Sequence, residues 1–125
     1  MTNAPDTFTI VIPWPHKFND PNARPPHWAA KAKHVAAART LACLTCKQQT
    51  GHARGWVTAM CQVRAYHKTA RFRDSQNIIA TLKATIDGVE DAGVIADDVG
   101  LGWYPVERCK DAANPRIELE FTGKK

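Results

Sequence analysis

The stretch from Arg71 to Asp98, R-F-R-D-S-Q-N-I-I-A-T-L-K-A-T-I-D-G-V-E-D-A-G-V-I-A-D-D, constrains this chain most. Ile79, Leu82, Ile86 and Val89 recur at spacings of three, four and three, which lays one apolar stripe along a helix. Asp74, Ser75 or Asn77 offers the short polar side chain that satisfies the first unpaired N–H groups. Gly93 offers the left-handed stop. Val94 and Ile95 then form a short apolar run carrying Asp97 and Asp98. Acidic side chains thus stand at both ends of one helix, and a helix cannot bring its own ends together. A site that uses both needs the strands flanking this segment to lie side by side in one sheet.

The remaining periodicities supply that sheet. Phe8–Ile12 is a short β-rich run stopped by Pro13 and Pro15. Trp56–Tyr66 alternates as a half-buried strand does, and so does Arg116–Phe121, R-I-E-L-E-F. Leu101–Cys109 reads as one further strand. From His27 or Trp28 to about Gln49 the chain is rich in alanine, the best helix former, with a partial stripe at Trp28, Val35, Leu41 and Leu44. The order β-α-β-α-β-β predicts an α+β fold: a single mixed sheet packed with two helices, formed by residues 1–125 as one domain. A chain of 125 residues with 44% hydrophobic and 23% charged residues has the size and composition for one such core.

Charge is unevenly placed. Lys and Arg number 17 against 12 Asp and Glu, a net charge of +5. Residues 15–73 hold many of the cations, and 74–98 hold half of the 12 carboxylates. A basic domain attracts nucleic acid, anionic membranes or acidic proteins, and charge alone does not choose among them. The loop W-P-H-K-F-N-D-P-N-A-R-P-P-H-W interleaves cations with Trp14, Phe18 and Trp28. That pattern suits phosphate contacts beside stacking rings. Candidate nucleic-acid contacts are Lys17, Arg24, His27 and Lys31, joined by Arg71 and Arg73 just before Asp74. The N-terminus lacks a basic region followed by a long apolar run, and no stretch is long enough to span a bilayer. The expected compartment is the cytoplasm, with no membrane partner. Cys43 and Cys46 form a C-x-x-C inside the first helix with no second pair. They read as core packing, ahead of a zinc or redox site.

Metal-assisted phosphodiester hydrolysis needs hard oxygen ligands, one or two of them protein carboxylates when the ion is Mg²⁺. A lysine beside them neutralises charge developing at phosphorus. Asp74, Asp98 and Lys83 are the candidates. Asp97 and Asp98 are adjacent and point to opposite faces of an extended chain, so one of them enters the site. The plainer reading of the same residues is a helix cap at Asp74, a turn at Asp97–Asp98 and a surface pair of Lys83 with Asp87.

Three segments resemble the RusA family of endodeoxyribonucleases, the small Holliday junction resolvases of bacteria and their phages. They are the opening strand with P-W-P, its N-D loop and R-x-x-H-W; the block R-x-R-D-x-x-N with K-A-x-x-D-G-V-x-D-A-G-V-I-x-D-D; and the closing P-R-I-E-L-E-F. The resemblance implies a RusA-like nuclease domain acting as a Mg²⁺-dependent homodimer, with Mn²⁺ as a possible substitute and no small-molecule cofactor. Its partner would be branched DNA, above all a four-way junction, nicked symmetrically for recombination and repair in a bacterial or phage-infected host cell. The family's D-x-D-N, helix lysine and D-D pair fall on Asp74, Gln76, Asn77, Lys83 and Asp98, with Asp97 beside them. The implied catalytic residues are Asp74, Asp98 and Lys83, and the implied metal ligands are Asp74, Asp98, Gln76 and Asp97. Two departures stand out. Position 76 holds an amide where the best-known members have a carboxylate. Lys83 also lies further from Asp74 than the family's lysine does, a shift of about 4.5 Å along a helix axis. The alternative reading is a catalytically weak or inactive DNA-binding protein on the same fold.

Overall fold

The computed structural model describes residues 6–71 and 74–124. Five strands and three α-helices run in the order β1 (Asp6–Ile12), α1 (Trp28–Lys47), β2 (Thr58–His67), α2 (Ser75–Thr81), α3 (Lys83–Asp91), β3 (Leu101–Trp103), β4 (Glu107–Lys110) and β5 (Arg116–Lys124). Short 3₁₀ turns occur at Lys17–Asn19 and Asp98–Gly100. The fold is α+β with a mixed sheet. Its order is β1-β5-β2-β3, with β4 continuing the β3 edge of β2. β5 pairs antiparallel with both β1 and β2, while β3 and β4 run parallel to β2.

Alternation decides which face of the sheet is covered. Ala59, Cys61, Val63 and Ala65 of β2, Ile117, Leu119 and Phe121 of β5, and Phe8, Ile10 and Ile12 of β1 are buried on one face. They meet Ala42 and Cys46 of α1, and Ile78, Leu82, Ile86 and Val89 of the later helices. Of the two cysteines expected to pack, Cys46 is in the core and Cys43 packs half-buried against it; Cys61 is buried as well, and burial pushes the Cys46 thiol up to about 12. No helix among the described residues is long and apolar enough to cross a membrane.

Two expected elements are divided. The second predicted helix breaks at Leu82, whose backbone leaves the helical region at φ −89° and ψ 5°. Thr81 donates its hydroxyl to the Asn77 carbonyl at 2.8 Å, a back-bond that bends helices. The Leu82 N–H turns to Ile79 O at 3.0 Å, tightening the last turn. The buried stripe starts one residue earlier than expected: Ile78 is buried, and Ile79 is half-buried. The expected strand Leu101–Cys109 is likewise interrupted at Tyr104–Val106, where Pro105 has no N–H to give the ladder.

The α3 terminus follows the predicted chemistry closely. Gly93 takes φ 84°, its N–H reaches Glu90 O at 2.9 Å, and the Val94 N–H reaches Val89 O at 3.3 Å. That is the paired bonding of a Schellman cap, closed by contact between buried apolar residues. Gly88 is the close-approach glycine, since a Cβ there would sit 2.1 Å from Arg39 O and 2.9 Å from the Ala42 Cβ. Its bare backbone lets α1 and α3 touch.

Candidate active site

After Gly93 the chain is sewn to the start of β2. Gly55 N–H donates to Gly93 O, Trp56 N–H to Val94 O, and Ala96 N–H to Trp56 O. Asp97 remains extended, and its Oδ1 accepts the Val99 N–H at 3.0 Å, capping the 3₁₀ turn that Asp98 begins. Asp97 and Asp98 therefore do not continue one strand, as the sequence reading had them. The turn sends Asp98 toward α3.

There Lys83 Nζ lies 2.9 Å from Asp98 Oδ2 and 2.9 Å from Asp87 Oδ1. Asp87 is the i+4 neighbour of Lys83, and Asp98 arrives from across the loop, so one ammonium holds two carboxylates. The ammonium has its pKa raised above the ordinary lysine value, first by Asp98 and then by Asp87. It holds the Asp98 carboxyl below the usual carboxylate range, with a smaller contribution from Asp97. A shallow depression of about 250 Å³ opens over this cluster, lined by Ile79, Ala80, Ile86, Leu101 and Trp103 as well as Lys83 and Asp98. The half-buried Ile79 side chain forms part of that wall.

Asp74 stands elsewhere on the helix pair. It is the N-cap of α2, where its Oδ1 accepts the Gln76 N–H at 2.9 Å and the Asn77 N–H at 3.3 Å. Lys83 begins α3 beyond the other end of α2, and seven helical residues rise about 10 Å. β2 and β3 are neighbours, as the site required, but their register pairs Ala59–Cys61 with Leu101–Trp103. Asp98 thus enters the sheet beside the beginning of β2, while Asp74 follows its end. Sheet adjacency does not by itself join the two. Gln76 is exposed, and no group of three or more His, Cys, Asp or Glu converges among the described residues.

Asp74 has an acidic neighbour that sequence reasoning passed over. Asn77 Nδ2 donates to Asp20 Oδ2 at 3.2 Å, which ties the basic loop to the first turn of α2. The loop is also latched to α1. The His16 and His34 rings stack at 3.5 Å with 8° between planes, and the 92%-buried Asn19 donates to His34 O at 3.4 Å. His16 Nδ1 accepts the Phe18 N–H at 3.1 Å, and desolvation, then His34 and Lys17, hold the His16 pKa below its ordinary value. The N-D of the loop was the signal available for Asp20. For Asp87 it was the i,i+4 spacing from Lys83, which on most helices marks a solvated pair.

The candidate nucleic-acid contacts fall around this latched loop. Lys17 and Arg24 are exposed and flank a groove of about 350 Å³ that Phe18, Asp20, Asn22 and Ala23 complete. His27 is exposed at the N-cap of α1, Lys31 is half-buried in the next turn, and Arg71 is exposed. Arg73 lies outside the described residues. No family model matches the sequence. An uncharacterized protein of Xylella fastidiosa (strain Temecula1) is 31% identical to it over 105 residues, covering 78% of this chain. The chain spans 65% of that relative's length.

Proposed function

We propose that the protein is a metal-dependent endonuclease that nicks branched DNA, with a four-way junction as its substrate, on a RusA-like fold. The observation that carries this reading is the Lys83 ammonium held 2.9 Å from both Asp87 and Asp98 on a chain of net charge +5. Two hard oxygen donors already face one cation there. Mg²⁺ asks for one or two carboxylates and keeps waters for the rest, so the donor set fits such an ion, or Mn²⁺. Asp98 would hold it, with Asp97 and Asp87 beside it. The ion would polarise the phosphoryl group and favour hydroxide as nucleophile. Lys83, displaced from Asp98 by the ion, would turn its charge to the phosphoryl oxygens. Asp74, joined by Asp20 and Asn77, supplies a second set of oxygen ligands beside the loop that carries Lys17 and Arg24. Two-fold symmetry in a homodimer would match the symmetry of a junction.

The test is Mg²⁺-dependent nicking of a synthetic four-way junction. Asp98→Asn and Asp74→Asn each lose nicking and keep junction binding. Full cleavage by either variant removes that residue from the catalytic set.

A second reading is a DNA-binding protein on this fold that does not cut. It is favoured by the exposed amide of Gln76, where a carboxylate would strengthen a metal site, and by the use of Asp74 Oδ1 as a helix cap. It predicts salt-dependent junction binding without nicking, and activity gained by Gln76→Asp.

A further inference from the structure

The basic loop delivers a side chain that the fold leaves in water. Trp28 is the first residue of α1 and is 82% exposed. It heads the stripe that the same helix buries further along. Trp28 and Cys46 are five helical turns apart, with Val35, Arg39 and Ala42 on the same line. Ala42 and Cys46 are 1% and 0% exposed against the core, and Arg39 bridges to Asp91 of α3. Trp28 therefore continues a packing face past the point where its partner stops.

The register says where it projects. Thr85 of α3 shares a groove with Ala37, Ala38 and Leu41, and Gly88 abuts Arg39 and Ala42, so α1 and α3 run in the same direction. Trp28 precedes these contacts by more than two turns and reaches beyond the first residue of α3. That is the end of the helix layer where Asp20 meets Asn77 at the start of α2. An indole carries a large apolar surface that folding normally hides. Here it is left exposed beside His27 and one turn before Lys31, four residues after Arg24 in the chain, and the first turn of α1 holds no acidic residue.

Those cations select the occupant. An apolar protein pocket would have to desolvate them, at a cost that burial of one ring does not repay. A polynucleotide neutralises them with phosphates while offering the flat face of a base to the ring. Bases stacked inside a duplex present only their edges, and a base whose stacking is broken presents a face. We infer that Trp28 is a stacking platform for a nucleobase left unstacked at the branch point of its DNA, with Arg24 and Lys31 seating the flanking phosphates. This rests on the branched-DNA reading above and adds to it the residue that tells a branch from a plain duplex.

The experiment measures equilibrium binding, without divalent metal, to a four-way junction carrying 2-aminopurine at the branch point and to a linear duplex of equal length. Wild type, Trp28→Phe, Trp28→Ala and Lys31→Ala are compared, with thermal melts as a folding control. Trp28→Ala weakens junction binding by about tenfold or more and leaves duplex binding unchanged. Trp28→Phe falls between it and wild type, and the 2-aminopurine quenching seen with wild type disappears in Trp28→Ala. Lys31→Ala weakens both substrates alike. Equal junction affinity for Trp28→Ala and wild type overturns the inference and leaves the nuclease reading standing, as does an equal loss on both DNAs. A change in the free protein's self-association instead of in DNA binding makes Trp28 a protein contact and also overturns it. Failure of the wild type to bind either DNA overturns both readings together.

Discussion

Lys83 is bound by two carboxylates while 66% of its side chain stays in water. Exposure makes these ion pairs weak contributors to stability and leaves the ammonium accessible to a phosphate. Lys83→Ala should therefore lower junction nicking by about 10²–10³-fold while barely moving the melting temperature. A large loss of stability with activity intact would make the cluster a structural clamp. The titration behaviour follows from the same contacts. Asp98 is depressed by Lys83, so what its charge contributes is present above the ordinary carboxylate pKa and fades as pH falls through the lowered value. Lys83 is raised by Asp98, so its contribution is present below the ordinary value of 10.5 and fades only above it. Both stay charged from about pH 5 to 9. A pH–rate profile over that range should show no inflection that moves when either residue is replaced. Asp98 and Lys83 were legible as candidates because a carboxylate pair after a glycine stop and a lysine on the intervening helix are chemically conspicuous. Asp20 was not, because its partner Asn77 lies 57 residues away and nothing local announces the contact.

Among the elements, α1 and α3 meet at a point that tolerates no Cβ. Gly88→Ala gains about 1 kcal/mol of helix propensity but must push aside the Arg39 carbonyl 2.1 Å away. The net effect should be destabilisation by about 1–3 kcal/mol, read from the urea midpoint, and an unchanged midpoint would contradict the packing. The latched loop gives an element-scale pH effect. The folded protein disfavours a proton on His16, which packs on His34 and Phe18 near Lys17, so the unfolded chain binds more protons and stability rises with pH. The melting temperature should fall as pH drops below about 6.5. The fall should shrink in His16→Asn, which keeps a capping side chain and does not titrate. Strand and helix identities were readable from periods of two and of three to four residues, and Gly93 marked its stop by the left-handed conformation it alone takes cheaply. The break at Leu82 was not readable. It depends on one threonine hydroxyl turning back to Asn77 O, and an apolar stripe continues across such a bend almost unaltered. The division of β3 from β4 was signalled by Pro105, but the alternation around it masked the signal.

For the whole molecule, topology gathers the charge. α1 and the loop before it carry cations to one end of the helix layer, and the return from α3 to β3 carries Asp98 to the beginning of β2. Adjacency of β2 and β3 was expected because a site using both acidic ends of the segment needed its flanking strands side by side. Their parallel sense was not, and it alone sets Asp98, which precedes β3, beside the start of β2 while Asp74 follows its end. Asp74 caps one end of α2, and the Lys83–Asp98 pair follows the other. Binding that rests on Lys17, Arg24 and Lys31 should weaken steeply as salt rises, and Arg24→Ala should flatten the slope of log affinity against log salt by about one phosphate's worth. The proposed nuclease needs Asp98, held by Lys83, to act on DNA. Mg²⁺-dependent nicking of a synthetic four-way junction by wild type and Asp98→Asn, at matched junction occupancy, tests this. Wild type should cut, and Asp98→Asn should bind without cutting; equal cutting by both, or binding without cutting by wild type in Mg²⁺ and Mn²⁺, would rule it out.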